Sequence, residues 1–483
     1  MKKRVFITGA TGNMGWAGFQ ELLHRKERFD ITLLARKSKK NLKLLKPYLK
    51  DPSVRIVWGD LCNYEDVLEA VNGADYVLHV GGMVSPMADM YPEKTMKVNI
   101  GAARNVIKAV KAQPDPDKVK VVYIGSVAEL GHHSAPYHWA RSGDPVYTSV
   151  YDWYSVSKCE AELLFAESGL RYWVSIRQSG MVYPALLMKM DDPIAYHVPM
   201  AGVLEWATVE DSGRVLANVC EDWVDESFWR GFYNLSSGPS FRLTNYEFES
   251  LLLKTLHCPK VESIFDLQWF ATRNFHGCWY TDSDVLENYL HFRENVPAPE
   301  YFKRLAKALP WYFSLAPLCP AFVMKAMMRH VTSSKELGTI YWLKHNNTRR
   351  INAHFGSLEQ AKALKGWESY DYAHPSDRPI LYDHGYDESK EVLDIEDMKK
   401  AAEWRGGKCL SENMTPGDLF TPLEWECHDG HRFRMSPNSI LKGGHWCPDC
   451  MPKIQDIDGE AWHFEHIAAH NPFFAQVYNR GIE

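Results

Sequence analysis

An α/β fold built on a doubly wound parallel sheet is predicted by three observations. An apolar strand at 5–8 runs directly into glycines at 9, 12 and 15. Over the first 180 residues, short apolar runs alternate with helical stretches, as a sheet whose strands all return parallel requires. Tyr154 and Lys158 stand four apart in a helical stretch, which places both side chains on one helix face, one turn apart. The pattern is that of a Rossmann-type sheet.

The elements follow in order. Strands are predicted at 5–8, 31–35, 54–58, 76–80, 119–124 and 172–176, with helices at 14–25, 64–71, 93–112 and 150–167. Beyond residue 185 the pattern loosens into helices, turns and many aromatics, with a late strand and turn at 233–238 and a helix starting near Thr244. Residues 394–404 read as a short helix, and the Gly406-Gly407 pair marks a boundary. The expected units are a dinucleotide-binding domain at 1–180, a mostly helical substrate region at 181–400 interleaved with late sheet elements near 203–240, a metal-binding unit at 401–455 and a tail at 456–483.

With 483 residues, two or three domains are expected, and 45% hydrophobic with 24% charged residues excludes large-scale disorder. A net charge of −6 gives no global drive towards nucleic acid or an anionic membrane. Met-Lys-Lys-Arg leads at once into the first strand, so no secretory signal fits there and a cytoplasmic setting is expected. The uncharged stretch 308–324 holds three prolines and falls short of the roughly 20 residues of a spanning helix. A buried element or substrate lid is expected there.

The loop Gly9-Ala-Thr11-Gly12-Asn13-Met14-Gly15 follows a strand and opens a helix. Small residues let the backbone approach a pyrophosphate, and the helix offers free N–H groups to it. The second strand ends Leu34-Ala35-Arg36-Lys37 with no acid for a ribose 2′-hydroxyl, and residues 31–50 hold seven Lys or Arg and no Asp or Glu. Arg36 is placed to pair with a 2′-phosphate, favouring NADP(H) over NAD(H). Asp60 and Leu61, after the third strand, would flank the adenine.

A phenol pKa near 10 is too high for ready proton transfer at neutral pH, and an ammonium one turn away should lower it. Ser126, ending the fifth strand, could hydrogen-bond the reacting oxygen. Together with His79-Val-Gly-Gly82, Asn99 in Val-Asn-Ile-Gly101 and Gly356–Trp367, these residues resemble the extended short-chain dehydrogenase/reductase superfamily, in its epimerase/dehydratase-like branch. The resemblance implies an enzyme in which Ser126, Tyr154 and Lys158 are catalytic. It adds Gly81, Asn99 and Ser179 to the cofactor contacts. Sugar-nucleotide members typically read Arg-Tyr-Phe-Asn after the sixth strand, where this chain reads Arg177-Gln-Ser-Gly180. Gly180 thus removes the polar grip on a diphosphate.

Near the C-terminus, Cys427-x3-His431 and Cys447-x2-Cys450 are separated by fifteen residues. Two close ligand pairs across a short loop are a tetrahedral zinc pattern, and four protein ligands leave no open position, so the zinc is structural. Cys409 is a competing candidate ligand, and His463, His466 and His470 read as surface histidines. The segment resembles a small treble-clef/zinc-ribbon family.

The expected function is an NADP(H)-dependent oxidoreductase acting on an alcohol or carbonyl of a hydrophobic, aromatic or polycyclic small molecule. A nucleotide-sugar epimerase or dehydratase is the alternative, and a non-catalytic redox sensor with a zinc-mediated partner contact is the second. No nucleic-acid partner and no transmembrane segment are expected; a homodimer is compatible with the sequence.

Overall fold

The computed structural model describes residues 2–188, 192–453 and 462–482. Seven strands form one parallel sheet: β1 (Lys3–Thr8), β2 (Phe29–Ala35), β3 (Val54–Trp58), β4 (Tyr76–His79), β5 (Lys120–Ser126), β6 (Tyr172–Gln178) and β7 (Gly231–Leu235). Their order is β7-β6-β5-β4-β1-β2-β3. The chain therefore winds outward from β1 in both directions, as doubly wound sheets do. All four residues of β4 are buried, because a central parallel strand has helices on both faces.

Helices α1 (Asn13–His24), α2 (Tyr64–Val71), α3 (Pro92–Lys111), α4 (Trp153–Ala166) and α5 (Val209–Asn218) cover those faces. One core gathers Ile7, Phe19, Leu33, Ile124 and Leu216 under α1 and α5. The other gathers Phe6, Val77, Val106, Val121 and Phe165 under α2, α3 and α4. β5 runs two residues beyond the predicted end, which puts Ser126 on the strand itself. β7 comes from the late segment, so residues beyond 180 contribute to the sheet.

Beyond the sheet, α6 (Asn245–Thr255) opens with a capping box formed by Thr244 and Glu247 and carries Phe248 and Leu252 into a second apolar core. The expectation of a buried element at 308–324 is overturned. Trp311–Leu318 forms a 3-10 turn with no buried residue, and Trp311, Leu318 and Phe322 are exposed. Prolines 310, 317 and 320 keep the stretch from forming one helix with a core-facing stripe. No described helix is long and apolar enough to cross a membrane.

The C-terminal unit starts with α7 (Ile395–Trp404), capped by Asp394. A three-stranded antiparallel sheet follows, of β8 (Lys408–Cys409), β9 (Leu423–Glu426) and β10 (Arg432–Met435). The unit seats on α4: Ser436 and Ser439 donate their hydroxyls to Glu167 Oε1 at 2.6 and 2.5 Å. The boundary expected at 455/456 lies outside the described residues. Residues 462–482, expected as a tail, carry α8 (Phe464–His470) and α9 (Pro472–Ile482), and Phe464 and Phe474 pack edge-on against Tyr147.

Candidate active site

The loop after β1 fits a pyrophosphate. Gly9 has φ +69°, and a Cβ there would lie 2.7 Å from Gly81 Cα, so Gly81 presses on the loop from the end of β4. A Cβ on Gly15 would lie 2.2 Å from the Gly9 carbonyl. α1 begins after Gly12 with no side-chain cap and no acid in its first turn, so its first amides remain available to an anion. Thr11, Gly12 and Asn13 are at least partly exposed, whereas Met14 points into the core. Thr8 Oγ1 accepts from the amides of Val80 and Gly81 at 3.0 and 2.9 Å and ties the two loops together.

Arg36 stands exposed just past β2. Asp60 Oδ1 accepts from the Cys62 amide, and Leu61 packs toward Gly81. Two expected cofactor contacts have clear internal partners. The Asn99 carboxamide bonds the Met83 amide and carbonyl and the Ser157 hydroxyl, pinning the loop after β4 to α4. Ser179 donates to the Glu205 carbonyl at 2.5 Å.

α4 starts at Asp152, whose carboxylate caps the Ser155 amide, and it delivers Tyr154 and Lys158 below the end of β5. Burial pushes the Tyr154 phenol above its ordinary value, with Ser126 acting in the opposite sense. The expected lowering of the phenol by Lys158 is not what the geometry gives. The ammonium is bonded to the Ile124 carbonyl at 2.5 Å and lies 4.3 Å over the Tyr123 ring. Burial lowers Lys158 to about 8, against the pull of Glu129 and Glu162.

Behind Lys158 lies a buried charge cluster that sequence reasoning missed. Arg177 grips Glu162 at 2.6 and 3.0 Å and stands 3.6 Å from Glu129, and all three side chains are fully buried. Burial works against ionising Glu162, but Arg177 and His445 overcome it and hold the carboxyl well below its usual range. His445 Nε2 reaches Glu162 at 2.9 Å, and Arg177 donates to the Gly443 carbonyl at 2.7 Å. The C-terminal unit thereby touches the group that neighbours Lys158. A partner 283 residues away leaves no local signal in the sequence.

Ser126 and Tyr154 open into a cavity of about 490 Å³. Its walls are chiefly aliphatic and aromatic, including Leu204, Leu243, Phe248, Leu252, Leu256 and Phe270, with Trp206 stacked on Phe248 at 4.2 Å. Gly180 lines the same cavity, and a Cβ there would meet Leu204 Cδ2 at 2.4 Å. No larger side chain fits at that position without moving the wall. The cavity also holds Asp89, raised to about 6 by burial and by Asp152, and Glu249, pushed up to about 7 by burial. Arg350 is a half-buried cation on the wall, 5.3 Å over the Tyr151 ring.

The four expected ligands Cys427, His431, Cys447 and Cys450 converge. The three sulfurs lie 3.4, 3.6 and 3.5 Å from His431 Nδ1, and Cys427 and Cys450 are 3.7 Å apart. Bonds of about 2.3 Å to sulfur and 2.0–2.1 Å to nitrogen in a tetrahedron give edges of roughly 3.5–3.8 Å. The set therefore fits zinc closely. Cys409 lies outside this cluster, paired in β8 with Trp425 of β9.

Residues 5–178 match the family described as NAD dependent epimerase/dehydratase. A curated relative, the UDP-glucose 4-epimerase of Rickettsia bellii (strain RML369-C), is 32% identical over 111 residues, or 22% of this chain; the match spans 32% of the relative's length. A dTDP-glucose 4,6-dehydratase from Bacillus anthracis str. Ames, solved in complex with NAD, aligns over 64% of this chain and 96% of its own, with TM-score 0.51 and 16% identity. The dTDP-glucose 4,6-dehydratase DesIV of Streptomyces venezuelae gives TM-score 0.50 and 20% identity over the same shares. These likenesses establish the shared fold. Over residues 5–178, about a third of its length, the chain is similar to the NAD dependent epimerase/dehydratase family.

Proposed function

We propose that the protein is a nicotinamide-dependent oxidoreductase that interconverts an alcohol and a carbonyl on a bulky, largely apolar small molecule. The observation that carries this reading is the cavity: Ser126 and Tyr154 face a wall of aliphatic and aromatic side chains, and Gly180 leaves no room for a polar anchor. Apolar surface covered by such walls gains about 25 cal/mol per Å². The nicotinamide, when bound, supplies or accepts the hydride. Ser126 would hold the reacting oxygen as charge develops there, Tyr154 would pass the proton, and Lys158 would bring positive charge to the phenol and the ribose. Gly9, Thr11, Gly12, Asn13, Met14 and Gly15 would cradle the pyrophosphate. Zinc would sit on Cys427, His431, Cys447 and Cys450. We place the enzyme in the cytoplasm, where a metal-type cysteine set stays reduced.

For the cofactor we propose NADP(H), held through Arg36. Arg36→Ala should weaken NADPH binding about 10- to 100-fold and leave NADH nearly unchanged, since charge-assisted contacts are worth about 1.5–3 kcal/mol. Fluorescence titration of both cofactors checks this; tighter NADH binding by the unmutated protein refutes it.

A second reading, nucleotide-sugar epimerisation or dehydration, draws on the relatives' names and on Arg350, a half-buried cation in the cavity wall that could grip a diphosphate in place of the missing anchor. Thermal shift with UDP-, GDP- and dTDP-sugars beside steroid-like and aromatic ketones separates the two. The apolar ketones should stabilise the cofactor-loaded protein saturably. Strong stabilisation by a nucleotide sugar that Arg350→Leu abolishes would establish the second reading instead.

A further inference from the structure

Beside the four-ligand cluster, three imidazoles converge from two separate elements. His428 sits on the turn between β9 and β10, and His466 and His470 stand four apart on α8. One ring nitrogen from each lies within 4.8 Å of the other two. The His428 and His470 rings are parallel within 5° at 5.1 Å, and the His466 ring lies 5.2 Å from the first and 4.7 Å from the second. Four-residue spacing on a helix is what lets two histidines share one ion.

Two further observations mark a built site. The His428 side chain is only 7% exposed, and no hydrogen bond satisfies its Nδ1; a buried polar atom without a partner is costly. The other rings are oriented from behind. His470 Nδ1 meets the His466 carbonyl at 3.0 Å, turning Nε2 outward, and His466 Nε2 meets Asp429 Oδ1 at 2.8 Å. Metal-ligating histidines are commonly held by a carbonyl or carboxylate on the second nitrogen. Asp429 Oδ2 also stands 3.1 Å from His428 Nε2 and 3.8 Å from Cys450 Sγ.

We propose that His428, His466 and His470 form a second metal site, for a divalent transition ion that prefers imidazole, separate from the Cys427–Cys450 zinc cluster. Bonds of about 2.0–2.1 Å imply nitrogens roughly 3.4 Å apart, so the rings must draw in by about an ångström. His466 and His470 are exposed and have room to turn. Three protein ligands leave positions for water, so this ion exchanges more readily than the buried zinc. Its structural effect is to clip α8 onto the turn that carries the zinc ligands Cys427 and His431. The same C-terminal segment places Trp462 5.2 Å from Trp153, the residue before Tyr154. The ion therefore braces the segment packed on the start of α4.

The test uses untagged full-length protein carrying one zinc, titrated with Ni²⁺ and assayed by calorimetry and by elemental analysis after desalting. One Ni²⁺ per chain should bind with zinc retained, and the His466→Ala/His470→Ala double variant should lose that nickel while keeping its zinc. No nickel in the unmutated protein, nickel entering only by displacing zinc, or unchanged nickel binding in the double variant would each overturn the proposal. Should the variant lose its zinc as well, X-ray absorption at the zinc edge on unmutated protein decides. The mean sulfur count per zinc should halve between one and two equivalents of Zn²⁺, and an unchanged count contradicts the second site.

Discussion

Replacing Tyr154 with phenylalanine should lower turnover by about 100- to 10,000-fold, the range of a general acid or base, while NADPH affinity changes little. The phenol shares the cavity with Ser126 at the end of β5, and burial holds it above its ordinary pKa. Removing its oxygen deletes the proton path but almost none of the dinucleotide surface, which lies along β1, α1 and β2. In the proposed mechanism Lys158 brings its charge toward that phenol; its ammonium, lowered to about 8, is bonded to the Ile124 carbonyl. Steady-state kinetics on the identified substrate, with cofactor affinity measured in parallel, checks this. A near-normal rate in Tyr154→Phe would defeat the assignment.

Stripping the zinc should unfold the 408–450 unit and carry activity down with it. Apparent binding free energies of about 10–16 kcal/mol for structural zinc in small modules exceed what so short a chain recovers by burying its core. The unit is also braced against α4. With the turn around Gly443 and His445 released, Arg177 loses the Gly443 carbonyl and Glu162 loses His445. Breaking a buried pair by removing a partner typically costs about 3–5 kcal/mol, and here the strain falls next to Lys158. Chelation should red-shift the emission of the buried Trp425 and open 408–450 to protease, in step with zinc release and loss of rate. Protein purified without chelator that contains no zinc, or that keeps its fold and rate after zinc is removed, would contradict this.

The parts legible in the sequence share one property: their signals are local. The glycine loop, the i, i+4 pair Tyr154 and Lys158, and the Cys-x3-His and Cys-x2-Cys pairs each specify geometry over a few residues, and the structure brings each group together. Six sheet strands and their helices fall within a few residues of expectation because apolar runs and helical periodicity are also local. Glu129, Glu162, Arg177 and His445 were not legible, since their meaning lies in contacts between separate elements, 15 to 283 residues apart. The 308–324 stretch misled because apolar composition without periodicity does not say which side faces a core. His466 and His470 read as surface histidines because their third partner, His428, sits on another element. The role of Gly180 needed both views: the sequence showed the missing anchor, and the walls of Leu204 and Trp206 showed why nothing larger fits.

The most direct test of the central claim is whether the cofactor is consumed. NADPH absorbance would be followed with a panel of bulky apolar ketones and, separately, with nucleotide sugars, using the unmutated protein and Tyr154→Phe. Net, stoichiometric oxidation of NADPH by an apolar ketone, abolished in Tyr154→Phe, is the result expected. Conversion of a nucleotide sugar at constant cofactor absorbance, with no apolar ketone consumed, would contradict it.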